Sequence, residues 1–250
     1  MSNYRFVTAC NENATYTGFI PTWIDHHKKL FPESDILVLL VSKNLPYELE
    51  KYKSNIILHD PIPNVHTAYQ AQMIRLLYPV LLEDKQNIIC DIDMYILSKD
   101  VLVLFQRIPN NDTRFINFGC LDIASCHKEK QLPLFFSVYG KKVLENVFKV
   151  KNKEDITNLM LDRYEKQNNP YGYNWFADQV LLYELFINYD SLFKIERKTG
   201  DRIDRDWFNP SDPQVVYKIK NNCLVDFHAP RPYQKYKSFI QSVLDYVICP

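Results

Sequence analysis

The segment NIICDIDMYIL places Asp91 and Asp93 one residue apart, with apolar runs on both sides. Four residues of buried strand are expected to deliver the pair. Side chains in a strand alternate faces, so Asp91 and Asp93 are expected to point the same way. Two like charges a few ångströms apart in an apolar setting repel at high cost. A divalent cation removes that conflict, and hard oxygen ligands favour Mg²⁺ or Mn²⁺, which keep positions open for phosphate oxygens. The plain alternative is a pair of solvated turn aspartates, and the apolar brackets argue against it.

Three further segments carry side chains fit for chemistry. In YNWFADQVLLYELF, Asp178 falls three and four residues before Leu181 and Leu182, on the inward side of a helix. A carboxylate near a helix N-terminus stays ionised easily. It can serve as a general base or simply cap the helix. In CLVDFHAPRPY, His228 and Arg231 follow a strand; a lone histidine serves equally as a metal ligand or a hydrogen-bonded structural group. In RKTGDRIDRDWFNP, Asp201, Arg202, Asp204 and Arg205 form either a phosphate or acceptor loop or a solvated run of ion pairs. His26 and His27 sit beside two lysines and are expected to face solvent.

These groups need a scaffold. Asp35 to Val41 (DILVLLV) and Asn55 to His59 are short and continuously apolar, as strands covered on both faces are. Tyr4 to Cys10 and Asn87 to Cys90 complete a set of strands alternating with helices over Gly18 to Phe31 and Asn64 to Leu82. Asn64 or Thr67 is expected to cap the second helix, Thr67 and Gln70 forming a capping box. Met94 to Leu97 is expected to prolong the Asp-x-Asp strand. Later helices are predicted over Val143 to Val150, Asp155 to Gln167, Asn174 to Asn188 and Tyr236 to Val247, with strands over Arg114 to Phe118, Leu132 to Tyr139 and Cys223 to Phe227. Strand–helix alternation predicts an α/β fold with a mostly parallel sheet, whose ligands bind beyond the carboxyl ends of the strands.

Composition narrows the functions. The 250 residues carry 30 basic and 30 acidic side chains, so no broad basic field exists for a nucleic-acid backbone. No apolar stretch is long enough to span a membrane, and the start lacks the pattern of a secretory signal. Six scattered cysteines without a C-x-x-C pair indicate a reducing, cytoplasmic setting rather than a zinc site, where the sequons at Asn13 and Asn111 go unused. With only 5 glycines and neither Gly-rich phosphate motif, anions must be gripped by side chains or a metal.

The strand ending in Asp91-Ile92-Asp93, about 90 residues from a strand-like start, resembles the GT-A type nucleotide-sugar-dependent glycosyltransferases. The resemblance implies a single Rossmann-type GT-A domain with helices flanking the sheet, residues 1–100 forming the nucleotide-sugar half and 101–250 the acceptor half. It implies that Mn²⁺ or Mg²⁺ bridges the donor diphosphate, with Asp93 as direct ligand and Asp91 on metal or ribose, Ile92 lying between. By the same resemblance Thr8, Ala9, Cys10 and Asn11 receive base and ribose, and Tyr16 stacks on the base. QAQMIRLLYPVLL resembles the helix before the Asp-x-Asp strand, where Gln70 or Arg75 faces the donor; Arg75 is otherwise a surface residue. The Trp175 to Gln179 stretch resembles the acceptor-side W-x-x-D-Q segment, which implies Asp178 as general base on an acceptor hydroxyl or as stabiliser of a sugar cation, with Trp175 stacking on a sugar face and Gln179 bonding the sugar. His228 resembles a late third metal ligand and Arg231 a diphosphate clamp, although the order H-A-P-R-P departs from the family's H-x-x-G-x-x-K-P-W. The implied activity is transfer of a sugar from a nucleotide diphosphate sugar, with UDP favoured, to a glycan or other hydroxyl acceptor.

Two other classes are weighed. A haloacid-dehalogenase-type phosphatase wants threonine where Tyr95 stands, and a carbohydrate-binding protein without catalysis has no need of paired buried carboxylates. A sugar-nucleotide pyrophosphorylase needs a Gly-rich first loop, which TACNEN does not supply.

Overall fold

A computed structural model describes residues 4–99, 101–102, 113–117, 123–134, 136–166, 175–187, 192–194, 202–205, 212–214, 217 and 226–248. Of the residues singled out above, Asn111 and Asp201 lie outside these ranges, as do Phe118, Gln167, Asn174, Asn188 and Cys223 at the ends of expected elements.

The first 90 residues build the parallel core. Strands β1 (Tyr4–Asn11), β2 (Asp35–Val41), β3 (Ile56–His59) and β4 (Gln86–Cys90) alternate with helices α1 (Ala14–Thr17), α2 (Ile20–Leu30) and α3 (Thr67–Leu77). β1 pairs in parallel with β2, Val7 beside Leu37, and with β4, Val7 beside Ile89. Beyond β4 the partners are antiparallel: β7 (Phe136–Tyr139) against β4, and β6 (Phe115–Asn117) against β7. β8 (Leu192–Lys194) closes the sheet parallel to β6, giving the order β3-β2-β1-β4-β7-β6-β8. The sheet is mostly parallel and flanked by helices, as the apolar strand runs predicted.

Strand alternation divides the core in two. Phe6, Val38, Leu40 and Ile88 pack on one face with Trp23 and Ile24 of α2 and with Leu244 of α8 (Tyr233–Ile248). Val7, Leu39, Val41 and Ile89 pack on the other with Tyr69 and Ile74 of α3, Met160 of α6 (Lys153–Lys166) and Leu181 and Phe186 of α7 (Ala177–Phe186). Between these lie α4 (Ile123–Glu129) and α5 (Lys141–Val143), the latter running into a π-helical turn, Leu144–Phe148.

Several expectations are corrected. The Asp-x-Asp strand stops at Cys90; β5 (Met94–Ile96) belongs to a second sheet of order β5-β10-β9, with β9 at Arg202–Ile203 and β10 at Asp226–His228. The cap of α3 is His66, whose Nδ1 accepts from Ala68 N at 3.2 Å, because Asn64 takes a left-handed φ of 63° two residues earlier. Gln70 makes no capping box; its amide ties down Ile62 and Val65 in the preceding loop. His26 and His27 do not face solvent. Both are buried, His26 Nε2 donating to Ile96 O at 2.6 Å and His27 Nδ1 to Trp23 O at 2.8 Å. Burial pushes the pKa of His26 down to about 4, and that of His27 well below the usual range.

Among the described residues Cys10, Cys90 and Cys126 are buried and none is in a disulfide. No helix among them is long and apolar enough to cross a membrane.

Candidate active site

A turn, not strand alternation, brings the two aspartates together. After Cys90 the chain reverses through Asp91-Ile92-Asp93, with Met94 N donating to Asp91 O at 3.1 Å. β5 then pairs antiparallel with β10, placing Met94 opposite His228, and Ala229 N donates to Asp93 O at 2.8 Å. That register sets His228 beside Asp93, although 135 positions separate them in sequence (228 less 93). From the other side α2 holds β5 in place: Trp23 Nε1 donates to Met94 O at 3.0 Å, and His26 to Ile96 O. One ligand atom each from Asp91, Asp93 and His228 lie within 4.8 Å of one another, forming a group able to hold a divalent cation.

The charges are distributed in a way the sequence did not announce. Asp93 is 2 % exposed at the side chain, and its Oδ2 faces three cationic groups: Arg231 Nε at 2.7 Å, Arg205 Nη1 at 2.8 Å and His228 Nε2 at 3.6 Å. Asp91, 35 % exposed, pairs with Arg75, which also pairs with the 1 % exposed Asp178. Arg75 is thus a buried bridge between two carboxylates, neither a surface residue nor a free phosphate ligand. Asp91 has Arg75 and Asp93 has Arg205 and Arg231, so the repulsion expected between the two aspartates is relieved within the protein.

Protonation follows. Burial alone would lower the pKa of His228, but Asp93 and Asp204, whose Oδ1 lies 3.5 Å from Nδ1, overcome this and raise it to about 10. Burial opposes ionisation of Asp93, yet His228 and Arg231 hold its pKa below the usual carboxylate range. For Asp178 burial wins over Arg75, and its pKa is raised.

These groups line one cleft of about 390 Å³ at the carboxyl ends of β1 and β4. Of the predicted residues, Ala9, Cys10, Tyr16, Arg75, Asp91, Ile92, Asp93, Trp175, Asp178, Gln179, His228 and Arg231 lie on its wall. Thr8 and Asn11 do not. Thr8 is fully buried two residues deeper than Cys10, and its hydroxyl has no hydrogen-bond partner. Asn11 is turned away to Thr67, Nδ2 to Oγ1 at 3.0 Å. Tyr16 is committed to Arg231, which donates to its hydroxyl and sits over its ring at 5.2 Å; the same guanidinium lies 6.0 Å from the Trp175 ring. Trp175 and Phe176 are 46 % and 41 % exposed at the mouth.

Sequence reasoning passed over Ala68, Ala71 and Gln72, which line the cleft beside Arg75. Their signal was present: positions 68, 71, 72 and 75 follow the i, i+3, i+4, i+7 spacing of one helix face. Two alanines on that face leave room for whatever enters. Phe176, Glu129 and Gln131 carried no comparable signal.

No protein-family profile matches the chain, and no curated protein sequence does. Solved structures do. GlyE, a glycosyltransferase of Streptococcus pneumoniae TIGR4, superposes with a TM-score of 0.58 at 13% identity over 100% of this chain and 61% of its own. The galactosyltransferase LgtC, solved with donor and acceptor sugar analogues, gives 0.53 at 11% over 98% and 95%. The bifunctional glycosyltransferase WbbM gives 0.53 at 13% over 97% and 50%. This chain therefore spans about three fifths of GlyE and half of WbbM. The shared architecture is the GT-A fold of glycosyltransferases.

Proposed function

We propose that this chain transfers a sugar from a nucleotide diphosphate sugar, with UDP as the nucleotide, to a hydroxyl of a glycan acceptor. The observation that supports this most is the grouping of Asp91, Asp93 and His228 on the wall of a cleft that also holds arginines and exposed aromatic rings. The residues fit a divalent ion. Asp91, Asp93 and His228 each offer a ligand atom within 4.8 Å of the others, and the three cationic groups on Asp93 mark a position that favours positive charge. Two carboxylates suit Mg²⁺ or Mn²⁺, and the imidazole tilts the choice to Mn²⁺. Held by these three residues, the ion would offset negative charge on the departing diphosphate.

The protein's own groups divide the remaining work. Arg231, stacked on Tyr16 and Trp175, is positioned to neutralise a phosphate oxygen at the leaving group. Arg75 stays on Asp91 and Asp178 and fixes their orientation rather than touching the diphosphate. Asp178, its pKa raised by burial, is suited to receive the acceptor's proton. Trp175 and Gln179 offer a ring face and an amide to a sugar. Ala9 and Cys10 leave a smooth wall for the base and ribose. In this reading residues 1–100 form the donor half and 101–250 the acceptor half, and the protein works in the cytoplasm.

Calorimetry of UDP binding with and without Mn²⁺ separates the classes: a phosphatase or a lectin gives no Mn²⁺-dependent UDP binding. Asp93→Asn keeps the shape of the side chain while removing the charge. It should abolish both Mn²⁺-dependent binding and transfer of radiolabelled sugar from a donor panel; retention of either refutes the assignment. Asparagine is preferable to alanine, which would leave Arg205, Arg231 and His228 crowded around a void.

A further inference from the structure

Among the described residues one oxygen, Asp93 Oδ2, takes every close cationic contact on that carboxylate: Arg231 Nε at 2.7 Å, Arg205 Nη1 at 2.8 Å and His228 Nε2 at 3.6 Å. A Mg²⁺- or Mn²⁺-sized ion binds a carboxylate oxygen at about 2.1 Å and needs lone pairs directed at it. The same oxygen has no room for such an ion and two guanidinium groups at hydrogen-bond distance, and like charges would oppose the arrangement. Arg205 and Arg231 therefore occupy the place the ion needs. Both line the cleft, and their side chains are 25 % and 21 % exposed, so each can swing on a long stem into the cleft. Arg75 cannot do so, being 8 % exposed and bonded to two carboxylates. His228 is restrained too, with Asp204 on its far nitrogen.

We infer that Arg205 is a second diphosphate-binding residue and that, with Arg231, it changes partners during loading, leaving Asp93 for the diphosphate when a divalent cation is bound. The inference rests on the donor reading above. Before loading, the two guanidinium groups keep a buried carboxylate neutralised, which holds the turn together. After loading both guanidinium groups have given up Asp93 and face a cleft into which a doubly charged anion must come. Bidentate guanidinium–phosphate contacts are the natural outcome. Metal and diphosphate then assist each other for a reason beyond direct contact: the ion releases the arginines that the anion needs.

The consequence has an unusual sign. A residue that only binds phosphate should not alter metal binding when removed. A residue that competes with the ion should, when removed, improve it. In Arg205→Gln, calorimetry with Mn²⁺ alone should show binding about tenfold tighter than wild type, since one charge-assisted competitor is gone. UDP titrated at saturating Mn²⁺ should bind about tenfold more weakly. Arg205→Lys should shift both constants in the same directions by less. Matching circular dichroism spectra and melting midpoints would show that both variants fold. If Arg205→Gln collapses, the lysine variant alone carries the test through its two opposite shifts. Mn²⁺ affinity that is unchanged or weaker in both variants overturns the exchange, while wild-type Mn²⁺-dependent UDP binding leaves the donor reading standing. A wild type that binds neither Mn²⁺ nor UDP overturns both.

Discussion

Replacing His26 by glutamine should remove a defined part of the protein's sensitivity to acid. His26 is 3 % exposed and its Nε2 donates to Ile96 O on β5, so it must be neutral to stay where it is. Burial pushes its pKa down to about 4, against about 6.5 in an unfolded chain. Between those values the unfolded chain takes up a proton that the folded chain refuses. Stability therefore falls as pH falls through this window, by at most about 1.4 kcal/mol per pH unit for one group. Integrated from pH 7 to pH 5, the loss owed to His26 is about 2 kcal/mol. In a chain of this size that corresponds to about 4–8 °C in melting midpoint. The assay is differential scanning calorimetry of wild type and His26→Gln at pH 7 and pH 5. Using the difference between the two proteins cancels titrating groups remote from His26, His228 among them. The midpoint of wild type should drop about 4–8 °C more than that of the variant. Equal drops would refute the reasoning, because His26 would then titrate alike in both states.

Two further outcomes follow from the charged groups. Arg75→Met strands Asp178 and should cost about 3–5 kcal/mol in urea unfolding; adding Asp178→Asn should recover a large part of this, whereas simple additivity of the two changes would show that Arg75 and Asp178 are not coupled. His228, with its pKa raised to about 10, is protonated at neutral pH and must lose that proton to bind a metal, so Mn²⁺ affinity should rise with pH up to about 10. Calorimetry in two buffers of different ionisation enthalpy should detect release of about one proton per Mn²⁺, and no release would remove His228 from the ligand set.

The parallel core was legible because its strands are buried on both faces. DILVLLV and NIIC need no partner in view to declare themselves. Asp91 and Asp93 stood out for the same reason, since charge inside an apolar run is costly unless something compensates it. What local pattern could not carry was the compensation. Arg75, Arg205, Arg231 and His228 reach the aspartates from α3, the stretch after β9, and the end of β10, and no spacing in the sequence links them. His26 and His27 were misread because Lys28 and Lys29 make the stretch look solvated; the groups that bury His26, Tyr95 and Ile96, arrive some 70 residues later. The end of the Asp-x-Asp strand was also hidden, because an apolar run on either side of a turn looks the same as one continuous strand. Helix α3 kept its expected place but not its cap, since the left-handed Asn64 moves the start to His66.

The pairing of β5 with β10 has a consequence for the order in which this protein matures on the ribosome. Synthesis proceeds from the N-terminus, and the first 90 residues contain the four parallel strands β1 to β4 with helices α1 to α3. His228 and Arg231 emerge long after Asp91 and Asp93 have left the exit tunnel. A nascent chain with these strands already folded would thus present the two acidic side chains without His228, Arg205 and Arg231. The three-residue group is complete only once β10 docks against β5.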